Sequence, residues 1–129
     1  MVRLDAIMDV DDPDPSERRQ SQRVRVNEVV QFEVGGKRVV GLLTVINEGG
    51  FFVTTRYFLN PGVVTKFEID LPEAGRFLPV SCEVVLVNGP ARYDWRLPIG
   101  MALRFVSMDE LTRHIIDAFL TKARERFAE

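Results

Sequence analysis

Between Val24 and Val106 the sequence alternates apolar and polar residues in six runs, and a chain with that period is committed to strands. Val24, Val26, Val29-Val30, Phe32 and Val34 open the series, which stops at Gly35-Gly36, a pair suited to a two-residue hairpin. The return run covers Arg38 to Ile46, Asn47-Glu48-Gly49-Gly50 turns the chain, and Phe51 to Thr55 follows. Past Asn60-Pro61-Gly62, the run from Val63 to Leu71 sets Val63, Thr65, Phe67, Ile69 and Leu71 on one face. Pro72-Glu73-Ala74-Gly75 leads into Phe77 to Val87. After the break at Asn88-Gly89-Pro90 and a polar loop to Pro98, Ile99 to Val106 is the last strand. Six half-buried strands joined by short turns predict a small antiparallel barrel, because closure leaves no unpaired edge.

Ser107-Met108-Asp109-Glu110 fits a capping box, with Ser107 as N-cap and Glu110 three residues on. Behind it, a helix over 108–127 sets Met108, Leu111, Ile115, Phe119 and Leu120 on one stripe. Thr112, Arg113, Asp117, Lys122 and Arg124 fall on its polar face. The fold expected is therefore all-β with one C-terminal helix, a six-stranded barrel over 24–106 plugged or flanked by that helix. At 129 residues this is one domain, large enough to bury a core without metal or disulfide.

Residues 1–16 read differently. Five aspartates (Asp5, Asp9, Asp11, Asp12 and Asp14) stand against Arg3 alone, with two prolines and a short apolar group of Val2, Leu4, Ala6, Ile7 and Met8. Such a composition offsets little of the entropy of ordering, so a disordered acidic tail is expected. Arginine then takes over at Arg18, Arg19, Arg23 and Arg25. A net charge of −2 gives no support for binding long DNA or RNA, which needs a broad basic face, whereas a small phosphate ligand needs only a local cluster.

Catalysis is not expected. His114 is the only histidine, Cys82 has no second cysteine, and neither GxxxxGK[ST] nor GxGxxG occurs, so no triad, metal cluster or P-loop can be assembled and no cofactor is expected. Cys82 lies in an apolar strand pattern, where a buried thiol suits a reducing cytoplasm. No signal peptide and no run of 18 apolar residues is seen, so a cytoplasmic protein without a membrane span is expected.

The residues with binding chemistry are the arm over 17–23 and the turn over 45–50. A guanidinium fork matches phosphate oxygens and also the O6/N7 edge of guanine. Arg19 and Arg23, four apart ahead of the first strand, would let two forks approach one ligand from different sides. Trp95 could stack on a base face or lie over the barrel rim.

Arg19-x-x-x-Arg23, the turn ending Gly49-Gly50-Phe51-Phe52-Val53, and the last strand Pro98 to Val106 followed by a helix resemble the PilZ domain, over residues 17–127. The resemblance implies a six-stranded antiparallel barrel with a C-terminal helix that binds cyclic di-GMP through an RxxxR arm and a [D/N]xSxxG turn. Carried onto this sequence, it implies ligand-binding roles for Arg18, Arg19, Arg23, Asn47 and Gly50. Gly50 matches the final glycine, where a missing Cβ would admit the ligand to the backbone. Asn47 stands in place of Ser and keeps a donor and an acceptor. Val45 stands in place of Asp or Asn and has neither; a lost base-edge contact costs about 1–3 kcal/mol.

Two functions follow from the resemblance. One is a cyclic di-GMP receptor that relays occupancy to a protein effector in motility or biofilm control. The other is a PilZ-like adaptor without nucleotide, acting by protein contact in motility or polarity, with the C-terminal helix able to pair with a second copy. A barrel that binds single-stranded nucleic acid would need exposed aromatics among basic residues, and the strands are not basic.

Overall fold

The computed structural model describes residues 22–128, so the acidic tail and most of the arm, Arg18 and Arg19 included, lie outside the described residues. Six strands follow in order: β1 (Val24–Val34), β2 (Lys37–Ile46), β3 (Gly50–Thr54), β4 (Val64–Asp70), β5 (Leu78–Asn88) and β6 (Gly100–Ser107). Among the described residues one helix, α1 (Glu110–Ala128), closes the series. Every strand pair is antiparallel, and the order β1-β2-β3-β6-β5-β4 closes on itself through β1 and β4, with Val30 opposite Ile69. The expected barrel is the fold observed.

Alternation explains the core. Phe32, Leu43, Phe51, Phe67, Ile69 and Leu103 point inward and are fully or almost fully buried. The ring of Phe67 lies 5.1 Å from Phe32 and 5.8 Å edge-on from Phe51, within the range of favourable aromatic pairs. Gly35 and Gly36 both have positive φ, 59° and 79°, as the tight β1–β2 hairpin demands. Phe51 and Phe52 are both fully buried although they face opposite ways, so β3 offers no aromatic platform for single-stranded nucleic acid.

The helix differs from expectation in its cap and its face. Ser107 is still in β6, opposite Ser81, and Asp109 takes the cap position instead. Asp109 Oδ1 accepts the Thr112 N–H at 2.7 Å, and the Asp109 carbonyl accepts the Arg113 N–H at 3.0 Å. The buried line on α1 is consequently Thr112, Ile116, Leu120 and Ala123, while Leu111, expected inside, is 58% exposed. Leu120 packs on the barrel and is not available to a second copy. Among the described residues no helix is long and apolar enough to cross a membrane.

Candidate functional site

One end of the barrel gathers the start of β1, the β2–β3 turn, the end of β6 and the length of α1. Val24 is paired with Ile46 and Arg25 with Val45, and continuing that register brings Arg23 level with Asn47. Of the residues that the sequence singled out on the arm and the turn, the described ones, Arg23, Asn47 and Gly50, therefore lie at the same end of the barrel.

The turn is built from its own side chain. Asn47 is fully buried, and its Oδ1 accepts the N–H groups of Gly49 at 2.8 Å and Gly50 at 3.1 Å. The Asn47 N–H donates to the Gly50 carbonyl at 3.0 Å, and the Gly49 carbonyl accepts from Phe105 N at 2.9 Å, which fixes the turn to β6. A Cβ at Gly50 would collide with the Leu103 carbonyl, so the glycine is required by the approach of β6. Val45, half-buried, is paired with exposed Arg25 on the outer side of the sheet.

Two arginines of α1 hold this end together. Arg124 donates to both carboxylate oxygens of Glu48, at 2.5 and 2.8 Å, and through Nε to the Gln22 carbonyl at 3.0 Å. Arg113 donates to the Glu48 carbonyl at 3.2 Å and lies over the Phe105 ring, 5.6 Å from its centre. The root of the arm and the β2–β3 turn are thus clamped side by side from the helix. Sequence reasoning placed both arginines on a solvated face and missed the clamp. Their separation of 11 residues (124 − 113), about three turns, puts them on one line of the helix and was the available signal. Arg124 and Arg113 contact Glu48, Arg113 also pairs with Asp117 at 3.9 Å, and Arg23 and Arg25 flank Val24 at the start of β1, so four arginines stand against two acids and the local field suits an anion.

Trp95 is not brought to this end. It is 78% exposed on the loop between β5 and β6, and β3, with Gly50 opposite Arg104 at the turn and Thr54 opposite Gly100 at that loop, separates the two by about 13 Å at about 3.3 Å per residue. That loop is rigidly held. Asn88 Nδ2 donates to the carbonyls of Asp94, Leu97 and Pro98, and Asn88 Oδ1 accepts the Asp94 N–H at 2.6 Å. Asp94 lies at the same far rim, its pKa held below the usual carboxylate value by the Arg96 backbone N–H and then the Arg96 guanidinium.

The remaining reactive side chains do not converge. Among the described residues no group of three or more His, Cys, Asp or Glu side chains could hold a metal ion. His114 is exposed and faces Glu110 one turn away at 3.9 Å, and burial pushes the Cys82 thiol pKa up.

The sequence profile of the PilZ domain matches residues 17–122. No curated protein matches the chain in sequence. Among solved structures, the Bacillus subtilis inhibitor of motility MotI/DgrA is similar at a TM-score of 0.65 and 20% identity, over 86% of this chain and 51% of that one. Escherichia coli YcgR in complex with c-di-GMP is similar at 0.60 and 14% identity, over 86% of this chain and 50% of that one. The isolated PilZ domain of YcgR with c-di-GMP gives 0.59 and 17% identity, over 87% of this chain and 98% of that one. The chain thus spans about half the length of the first two, and at these identities the likeness is one of fold.

Proposed function

The chain belongs to the PilZ domain family, and from that premise we propose that it binds cyclic di-GMP where the basic arm meets the 45–50 turn, and relays the bound state to a partner protein in motility control. The observation that carries the reading is the double clamp of Arg124, which holds the Gln22 carbonyl and the Glu48 carboxylate and so keeps the arm root beside the turn. On this reading Arg19 and Arg23 close over the ligand, their forks on phosphate and on the guanine O6/N7 edge, with Arg18 adding charge. Ordering an arm around an anion is a common way to make a switch. Because Arg124 belongs to α1, a shift of the arm root on binding reaches the helix directly, and the helix is the natural element for a partner to read.

A second reading, an adaptor that works by protein contact without nucleotide, is favoured by two observations. Val45 offers no hydrogen bond at the position where the family carries Asp or Asn, and the Oδ1 of Asn47 is already engaged by two backbone N–H groups. Displacement of a fluorescent cyclic di-GMP analogue by unlabelled nucleotide separates the two. The receptor reading expects saturable displacement that disappears in Arg23→Ala and persists in Trp95→Ala. Absence of binding in the unaltered protein supports the adaptor.

A further inference from the structure

Between α1, the start of β1 and the β4–β5 turn runs a groove of about 630 Å³. Its floor is apolar, formed by Val24, Val26, Ala74, Ile115, Phe119 and Ala123, and half-buried Ile115 and Phe119 face it from the helix. Arg25, Lys122 and Arg126 line it together with Glu28 and Glu73, and since Lys122 pairs with Glu73 at 3.2 Å, two arginines are left against one acid. An apolar trough with spare cationic charge on its edge suits a short apolar segment flanked by acids.

The chain itself supplies such a segment. Val2, Leu4, Ala6, Ile7 and Met8 are grouped within seven residues, with Asp5 among them and Asp9, Asp11, Asp12 and Asp14 following. The described chain begins at Gln22, whose carbonyl is held by Arg124, the helix neighbour of the groove residue Ala123. Residues 9–21 then link the apolar group to this point, and 13 residues span up to about 43–47 Å at 3.3–3.6 Å each. From Ile115 to Ala123 the helix rises only about 12 Å at 1.5 Å per residue, so reach is ample.

We propose that residues 2–8 dock in cis into the groove between α1 and the start of β1, with the aspartates that follow meeting Arg25 and Arg126. The segment then covers the exposed sides of Ile115 and Phe119, and both ends of the arm over 17–21 are tied to the helix. The proposal does not depend on nucleotide binding.

Paramagnetic broadening tests it in the full chain. A nitroxide at Asp9→Cys leaves the apolar group intact, and Cys82, fully buried in β5, does not compete for the label. The expected result is strong loss of amide intensity at Ile115, Phe119 and Lys122, none at Arg92 and Arg96 on the far rim, and recovery of the lost signals in Ala118→Glu. Ala118 is an exposed residue on the groove, so this change adds repulsive charge without disturbing the core. Three results would overturn the proposal: undiminished groove signals, loss that persists in Ala118→Glu, or loss that appears only when labelled and isotope-enriched molecules are mixed. The last would make the occupant a second copy.

Discussion

At the scale of single residues, two positions of the turn carry opposite kinds of information. Asn47 is a structural residue: replacing it with Ala leaves the buried N–H of Gly50 and the half-buried N–H of Gly49 without their acceptor. An unsatisfied buried donor costs about 1–3 kcal/mol, so urea unfolding of Asn47→Ala should show a loss of at least that order, while Asn47→Ser, which keeps an acceptor, should recover much of it. Val45 stands where the family carries Asp or Asn and withholds a hydrogen bond from the proposed site. It is paired with Arg25 on the outer sheet face, and an Asp there would restore the acceptor that the proposed site lacks. Val45→Asp should strengthen cyclic di-GMP binding by roughly 5- to 150-fold, the equivalent of about 1–3 kcal/mol, in a direct titration. No gain would remove the turn from the site. The identity of both positions was legible in the sequence, but the inward direction of Asn47 was not, because it depends on how the turn closes on β6.

At the scale of elements, the strands were readable because period two both makes the strand and selects the buried face. The helix was less so. The capping-box spacing points to Ser107, but β6 pairs Ser107 with Ser81 and delays the helix start, so that Asp109 caps it. That delay accompanies a buried face led by Thr112 and Ile116, with Leu111 turned to solvent. The cap has a pH signature. The Thr112 N–H holds the Asp109 pKa below its usual value, so its stabilising contribution is present above the unfolded pKa and is lost as pH falls through the folded one. Glu28 runs the other way. Burial, and then Asp70, raise its pKa, so its contribution is present below the unfolded value and is lost as pH rises through the folded one. Melting temperatures across pH should therefore fall less on acidification in Asp109→Asn, an uncharged but competent cap, and should rise near neutrality in Glu28→Gln.

At the scale of the whole molecule, the barrel has two differently equipped ends. The root of the arm at Gln22 and Arg23, the 45–50 turn and the arginines of α1 occupy one, and Trp95 with its Asn88-braced loop occupies the other. No reading of one-dimensional spacing tells which loops share an end, since Arg124 is 76 residues from Glu48 and 102 from Gln22. The topology decides it, and it separates Trp95 from the arginines with which sequence reasoning associated it. Trp95 is the only tryptophan, so its emission reports on the far rim alone. Emission should stay unchanged as cyclic di-GMP saturates the protein, and a quench or shift would place the ligand at that rim instead.

The proposed nucleotide site is the clamped junction of the arm root and the turn. Isothermal titration calorimetry with cyclic di-GMP at physiological salt, on the unaltered protein and on Arg23→Ala, tests it most directly. A nucleotide site at this junction gives a saturable heat signal that vanishes in the variant. A flat trace for the unaltered protein, or an undiminished one for Arg23→Ala, would contradict it.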